Sequence, residues 1–160
     1  MDASVTPRGH LPYTERDVTA LLDSQGGRLY WYFWAMLGDQ TSVTRALAGT
    51  VIVALPDPAH RHLFEVARAV CRQHHPAPAA PYARAEAPTL AAATRAALRR
   101  LEPADREICV LGASAYRLND ADLAAVLGIR TVAVEDLWSR AMDAFAFHLA
   151  ACTADASAPS

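Results

Sequence analysis

Residues 74–88 read HHPAPAAPYARAEAP, with four prolines, many alanines and almost no bulky apolar side chain. Proline fixes φ and has no amide to donate, so neither helix nor central strand runs through such a stretch. Ordering it costs roughly 1–2 kcal/mol per residue with little apolar surface buried in return. It therefore predicts a partly extended linker at 76–88 between two separately patterned halves, 15–75 and 89–150. Residues 1–14 and 151–160, rich in small and polar side chains, are expected to be flexible tails.

The C-terminal half has the clearer pattern. Thr89 suits the N-cap of a helix with Leu90, Ala93, Ala97, Leu98 and Leu101 along one side. Pro103 suits the first turn of the next helix, whose Ile108 and Leu111 share a face before Gly112. Asn119 suits the cap of a short third helix carrying Leu123, Ala124 and Leu127, and Gly128 stands where a left-handed turn residue is needed. From about Thr131 a fourth helix places Val134, Leu137, Trp138, Ala141, Met142 and Phe145 on one face. A short helix, a glycine turn and a second amphipathic helix form a helix-turn-helix signature. In the N-terminal half, LYWYFWAML (29–37) taken alone fits either a buried strand or a buried helix, and three or four packed helices is the better reading of this half. Val43, Leu47, Val51 and Leu55 recur every four residues, although TVIVAL alone would pass for a strand. Leu63, Phe64, Ala67, Val70 and Cys71 again fall at helical spacing. The expectation is an all-α fold of two small helical domains, the C-terminal one a four-helix helix-turn-helix domain.

Apolar residues make up 52% of the 160, enough to bury a core. The apolar runs are broken by Gly, Arg or Pro well short of a membrane span of about 20 residues, so no membrane partner is expected. Cys71, Cys109 and Cys152 are few, odd in number and far apart, and the N-terminus lacks a secretory apolar core. Free thiols in a reducing cytoplasm are therefore expected. His60, His62, Cys71, His74 and His75 cluster, but a closed four-ligand metal site needs a second well-spaced pair, so no metal or other cofactor is expected. The sequence contains neither a nucleophile–base arrangement nor a phosphate-cradling glycine loop, and this predicts a protein that is not an enzyme. All 15 basic residues are arginine, and the net charge of −2 carries no basic excess for nucleic acid.

The run LRRLEPADREICVLGASAYRLNDADLAAVLGIRTVAVEDLWSRA (98–141) resembles the fourth conserved region of extracytoplasmic-function sigma factors. The likeness lies in Leu101, Arg106 and Glu107, in Asp122-Leu123-Ala124, in Val126-Leu127-Gly128 and in Ser139-Arg140-Ala141. RLYWYFWAMLGD and LFEVARAVC resemble two helices of the second region, and the similarity covers roughly residues 18–147. It implies a bacterial sigma factor that binds core RNA polymerase and reads promoter DNA, the second region at the minus-ten element and the fourth in the major groove of the minus-thirty-five element. The DNA-contacting residues so implied are Arg130, Thr131, Ser139 and Arg140, together with Arg68, Arg72 and Gln73.

The departures from that pattern are specific. The family's acidic, glutamine-bearing polymerase-docking segment reads Val43, Thr44, Arg45, Ala46, Leu47, Ala48 and Gly49 here, with no acid left. In the promoter-reading helix Arg68 is kept, while the usual Asn and Asp are Ala69 and Gln73. The recognition helix carries Glu135 and Asp136 where the family has a basic and a small polar residue. Carboxylates repel phosphate, and in the groove a Glu accepts only from a cytosine amino group. A second expectation stands beside the first: a degenerate sigma-like interaction module that has lost promoter binding and regulates through a protein partner, an anti-sigma factor or another protein.

Overall fold

A computed structural model describes residues 13–56, 60–74, 89–113 and 118–157. The linker expected at 76–88, residues 1–12 and the side chains of His60, His62 and His75 lie outside the described residues. Every regular element among the described residues is helical, and the fold is all-α. The order is α1 (Glu15–Leu21), a π-helical turn (Leu22–Gly26), α2 (Gly27–Leu37), α3 (Gln40–Ala54) and α4 (His60–Gln73), then α5 (Leu90–Arg100), α6 (Pro103–Leu111), α7 (Asp120–Leu127), a short 3₁₀ turn (Thr131–Ala133) and α8 (Val134–Ser157).

Local chemistry sets most of the boundaries. Thr14 and Asp17 cap α1 reciprocally, each side chain accepting from the other's backbone amide. The apolar run 29–37 is helix α2, with Leu29, Tyr32, Phe33 and Leu37 buried at helical spacing, and TVIVAL is the last part of α3. Neither run has a neighbouring strand to pair with among the described residues, and helix satisfies its backbone locally. Gly38 ends α2 in the left-handed region at φ 81°, and Asp39 caps α3 by accepting from the Ser42 amide at 2.8 Å. Thr89 and Asn119 cap α5 and α7 as expected, and Pro103 opens α6.

One buried cluster runs through both halves. It takes Tyr32, Phe33, Leu63, Phe64 and Ala67 from the N-terminal helices and Ile108, Leu111, Leu123 and Val126 from the C-terminal ones. The halves meet where α4 lies on α7 and α2 lies on α5 and α6. A second, smaller cluster holds α5 against the far end of α8 through Ala93, Ala97 and Cys152. That contact corrects the tail boundary expected at 151: α8 continues to Ser157 because Cys152 is buried. Where α8 crosses α6, the ring of Trp138 lies directly on Gly112, and a Cβ there would run into it.

Candidate nucleic-acid interface

The corner between α7 and α8 is built by backbone geometry. Gly128 adopts φ 70°. Its amide donates to Ala125 O at 3.2 Å, and the Ile129 amide donates to Ala124 O at 2.9 Å. These paired bonds are the Schellman arrangement, and they satisfy the last carbonyls of α7 while turning the chain sharply. Arg130 then leads into the 3₁₀ turn, its carbonyl accepting from the Ala133 amide at 2.9 Å. Leu123, Ala124 and Leu127 on one side, with Val134 and Ala141 on the other, bury the inner faces.

The outer face of this corner exposes Arg130, Thr131, Val132, Glu135, Asp136, Ser139 and Arg140. Four residues expected to contact DNA, Arg130, Thr131, Ser139 and Arg140, are thus all exposed, two at the turn and two in the early part of α8. Glu135 and Asp136 lie in the first turn of α8, where carboxylates stabilise the helix dipole. The same two carboxylates, with Asp143 a turn or two further on, oppose any approaching phosphate. Arg140 is itself engaged: its Nη2 lies 2.9 Å from Asp105 Oδ1 on α6, with Arg140 62% exposed. Such an exposed pair contributes between about 0 and 1 kcal/mol, and phosphate can compete for its guanidinium.

The three residues on α4 do not share one environment. Arg72 and Gln73 are exposed, whereas Arg68 turns inward. Its Nε donates to both oxygens of Glu107, at 3.0 and 2.9 Å, and its Nη1 donates to Val126 O at 3.1 Å. Tyr32 completes the cluster by donating its hydroxyl to Glu107 Oε1 at 2.9 Å. Burial, and then the Glu107 carboxylate, push the Tyr32 hydroxyl well above its ordinary range, so it stays a donor. Burial and Glu107 likewise push the Cys71 thiol up to about 12, which leaves it protonated and unreactive. Cys109 is pushed up to about 11, by burial and by Asp105.

Two further arginines cross between the halves. Arg99 donates to Gly38 O at 3.0 Å. Arg106 fans out to the carbonyls of Leu98, Arg99, Leu101 and Met36, at 2.8 to 3.4 Å. Sequence reasoning named Glu107 and Arg106 only as parts of a motif and passed over Tyr32. A signal was present, since Tyr32 and Glu107 each fall on an apolar helical stripe where a polar group needs a partner.

Away from this corner, the outer side of α3 exposes Thr44, Arg45, Ala48, Ile52 and Val53. A cleft of about 600 Å³ between α2 and α5 is lined by Trp31, Trp34, Leu90, Thr94, Arg95 and Leu98. Trp31 is 59% exposed at its edge. No helix among the described residues is long and apolar enough to cross a membrane. A scan of the chain against protein-family models finds no match, and a search of curated proteins finds none either.

Proposed function

We propose that this chain is a sigma-factor-like transcription regulator that acts with RNA polymerase and promoter DNA in transcription initiation, and performs no chemistry itself. The observation that carries the proposal is the α7–α8 corner. A short capped helix, a left-handed glycine and a long amphipathic helix leave Arg130, Thr131, Ser139 and Arg140 all exposed. That is the geometry a helix-turn-helix needs to set its second helix in a major groove. The sequence resemblance over 98–141 supports the same assignment. It implies work in the cytoplasm, beside the polymerase.

Protein contact through a degenerate sigma-like module is the second reading, and one observation favours it. The groove-facing side of α8 presents Glu135, Asp136 and Asp143, while Arg140 is paired with Asp105. Residues 88–150 hold seven arginines against eight acids, so no electrostatic surplus drives even non-specific DNA binding. Elsewhere, the exposed Ile52 and Val53 of α3 and, separately, the cleft at Trp31 offer apolar surface for a protein partner. One experiment separates the two. Tagged full-length protein is drawn from its native cytoplasm and probed for the polymerase core. Core enzyme retained through washing supports the sigma-like assignment; its absence, with another protein retained, supports the module.

A further inference from the structure

The buried cluster of Tyr32, Glu107 and Arg68 stands where the halves meet. Tyr32 belongs to α2, Arg68 to α4, Glu107 to α6, and Val126 O to α7. Every hydrogen bond among them therefore runs from an N-terminal helix to a C-terminal one. A buried ion pair is a specific fastener more than a strong one, because desolvation offsets much of the attraction. On separation the guanidinium, carboxylate, hydroxyl and carbonyl all regain water, so a seam with a polar centre reopens more readily than a wholly apolar one.

What the cluster hides is a cation with a neighbour. Arg72 stands one turn after Arg68 on α4 and is already exposed; the two residues leave the same side of the helix, but only the Arg68 guanidinium is turned inward. In the closed arrangement Arg68 spends three donor contacts on Glu107 and Val126 and is 17% exposed.

We propose that the Tyr32–Glu107–Arg68 cluster is a latch between the two halves, an autoinhibitory contact that holds Arg68 away from nucleic acid and on opening releases it beside Arg72 as a phosphate-binding pair. The choice of nucleic acid as the ligand rests on the sigma-like assignment; the latch itself rests on the hydrogen bonds. Closed, α4 presents Arg72 without Arg68. Open, it presents two cations at the spacing of one helical turn.

The test uses the full chain carrying Glu107→Gln, which removes the counter-charge yet keeps an oxygen for the Tyr32 hydroxyl. Amide hydrogen exchange is followed helix by helix, with total helicity as the control. Binding to a labelled DNA duplex and to its single strand is titrated at two salt concentrations. The expected result is exchange roughly tenfold faster or more in α7, with α3 and α8 unchanged. Affinity rises several-fold for at least one probe, and the salt slope steepens by about one phosphate contact. Adding Arg68→Gln to Glu107→Gln should keep the faster exchange and abolish the gain in affinity. If Glu107→Gln does not fold, Tyr32→Phe loosens the same cluster by a single hydrogen bond and gives the same pattern at smaller amplitude. Unchanged exchange in α7, or exchange raised equally in every helix, overturns the latch and leaves the sigma-like assignment standing. Selective opening of α7 with no gain in affinity overturns the nucleic-acid target, and with it the DNA arm of that assignment.

Discussion

Two ion pairs of equal length join helices of this protein, and they are not equivalent. Arg68–Glu107 and Arg140–Asp105 each close at 2.9 Å, but the side chains are 17% and 10% exposed in the first and 62% and 18% in the second. In the first, Glu107 takes both contacts from one guanidinium and a third from Tyr32, largely shielded from bulk water. In the second, one nitrogen meets one oxygen beside solvent. Distance alone says nothing of their weight. Removing one partner of the buried pair strands the other charge in the interior; removing one partner of the exposed pair leaves the other in water.

The largest effect expected from this contrast is on stability. Arg68→Met leaves the Glu107 carboxylate buried beside Tyr32 alone and should cost about 3–5 kcal/mol in a urea unfolding titration. A cost under about 1 kcal/mol would mean the buried pair is no heavier than a surface one, and the comparison collapses. A smaller effect belongs to the α8 face. Glu135→Lys with Asp136→Ser exchanges two carboxylates for a cation and a hydroxyl, and should tighten duplex DNA binding and steepen the salt slope by about one. Titration at low and moderate salt measures both. Tight binding with a steep slope in the unchanged protein would show that Glu135 and Asp136 do not face the phosphates. Smallest of all is Arg140→Ala, expected to shift unfolding by less than about 1 kcal/mol, and by less still in high salt. A larger, salt-insensitive loss would put Arg140 in the same class as Arg68.

The helices and their ends were largely legible in the sequence, because those signals are local. Thr89, Pro103, Asn119 and Gly128 act within a turn or so of where they stand, and each holds the place its chemistry suggested. The run 29–37 was ambiguous for a physical reason: a fully apolar segment has no period to read, and only its neighbours decide between strand and helix. The boundary at 151 was misplaced because α8 is held at that end by Ala93 and Ala97, more than fifty residues away. The same limit hid the seam. Tyr32 and Glu107 are 75 residues apart, Arg68 and Val126 are 58 apart, and nothing local ties either pair. The resemblance implies a DNA contact for Arg68, and its inward turn follows from α4 lying on α7.

The fan of hydrogen bonds from Arg106 limits which sequences this fold can tolerate. One planar guanidinium serves the carbonyls of Leu98, Arg99 and Leu101 at the end of α5 and reaches that of Met36 near the end of α2. Lysine would keep the charge, but its compact ammonium has three donors at a single point and cannot straddle two helix ends. The codon for residue 106 is thus confined by hydrogen-bond geometry, not by charge. A charge-preserving change there would leave carbonyls unserved on both sides of the seam, and damage to one half would be felt in the other.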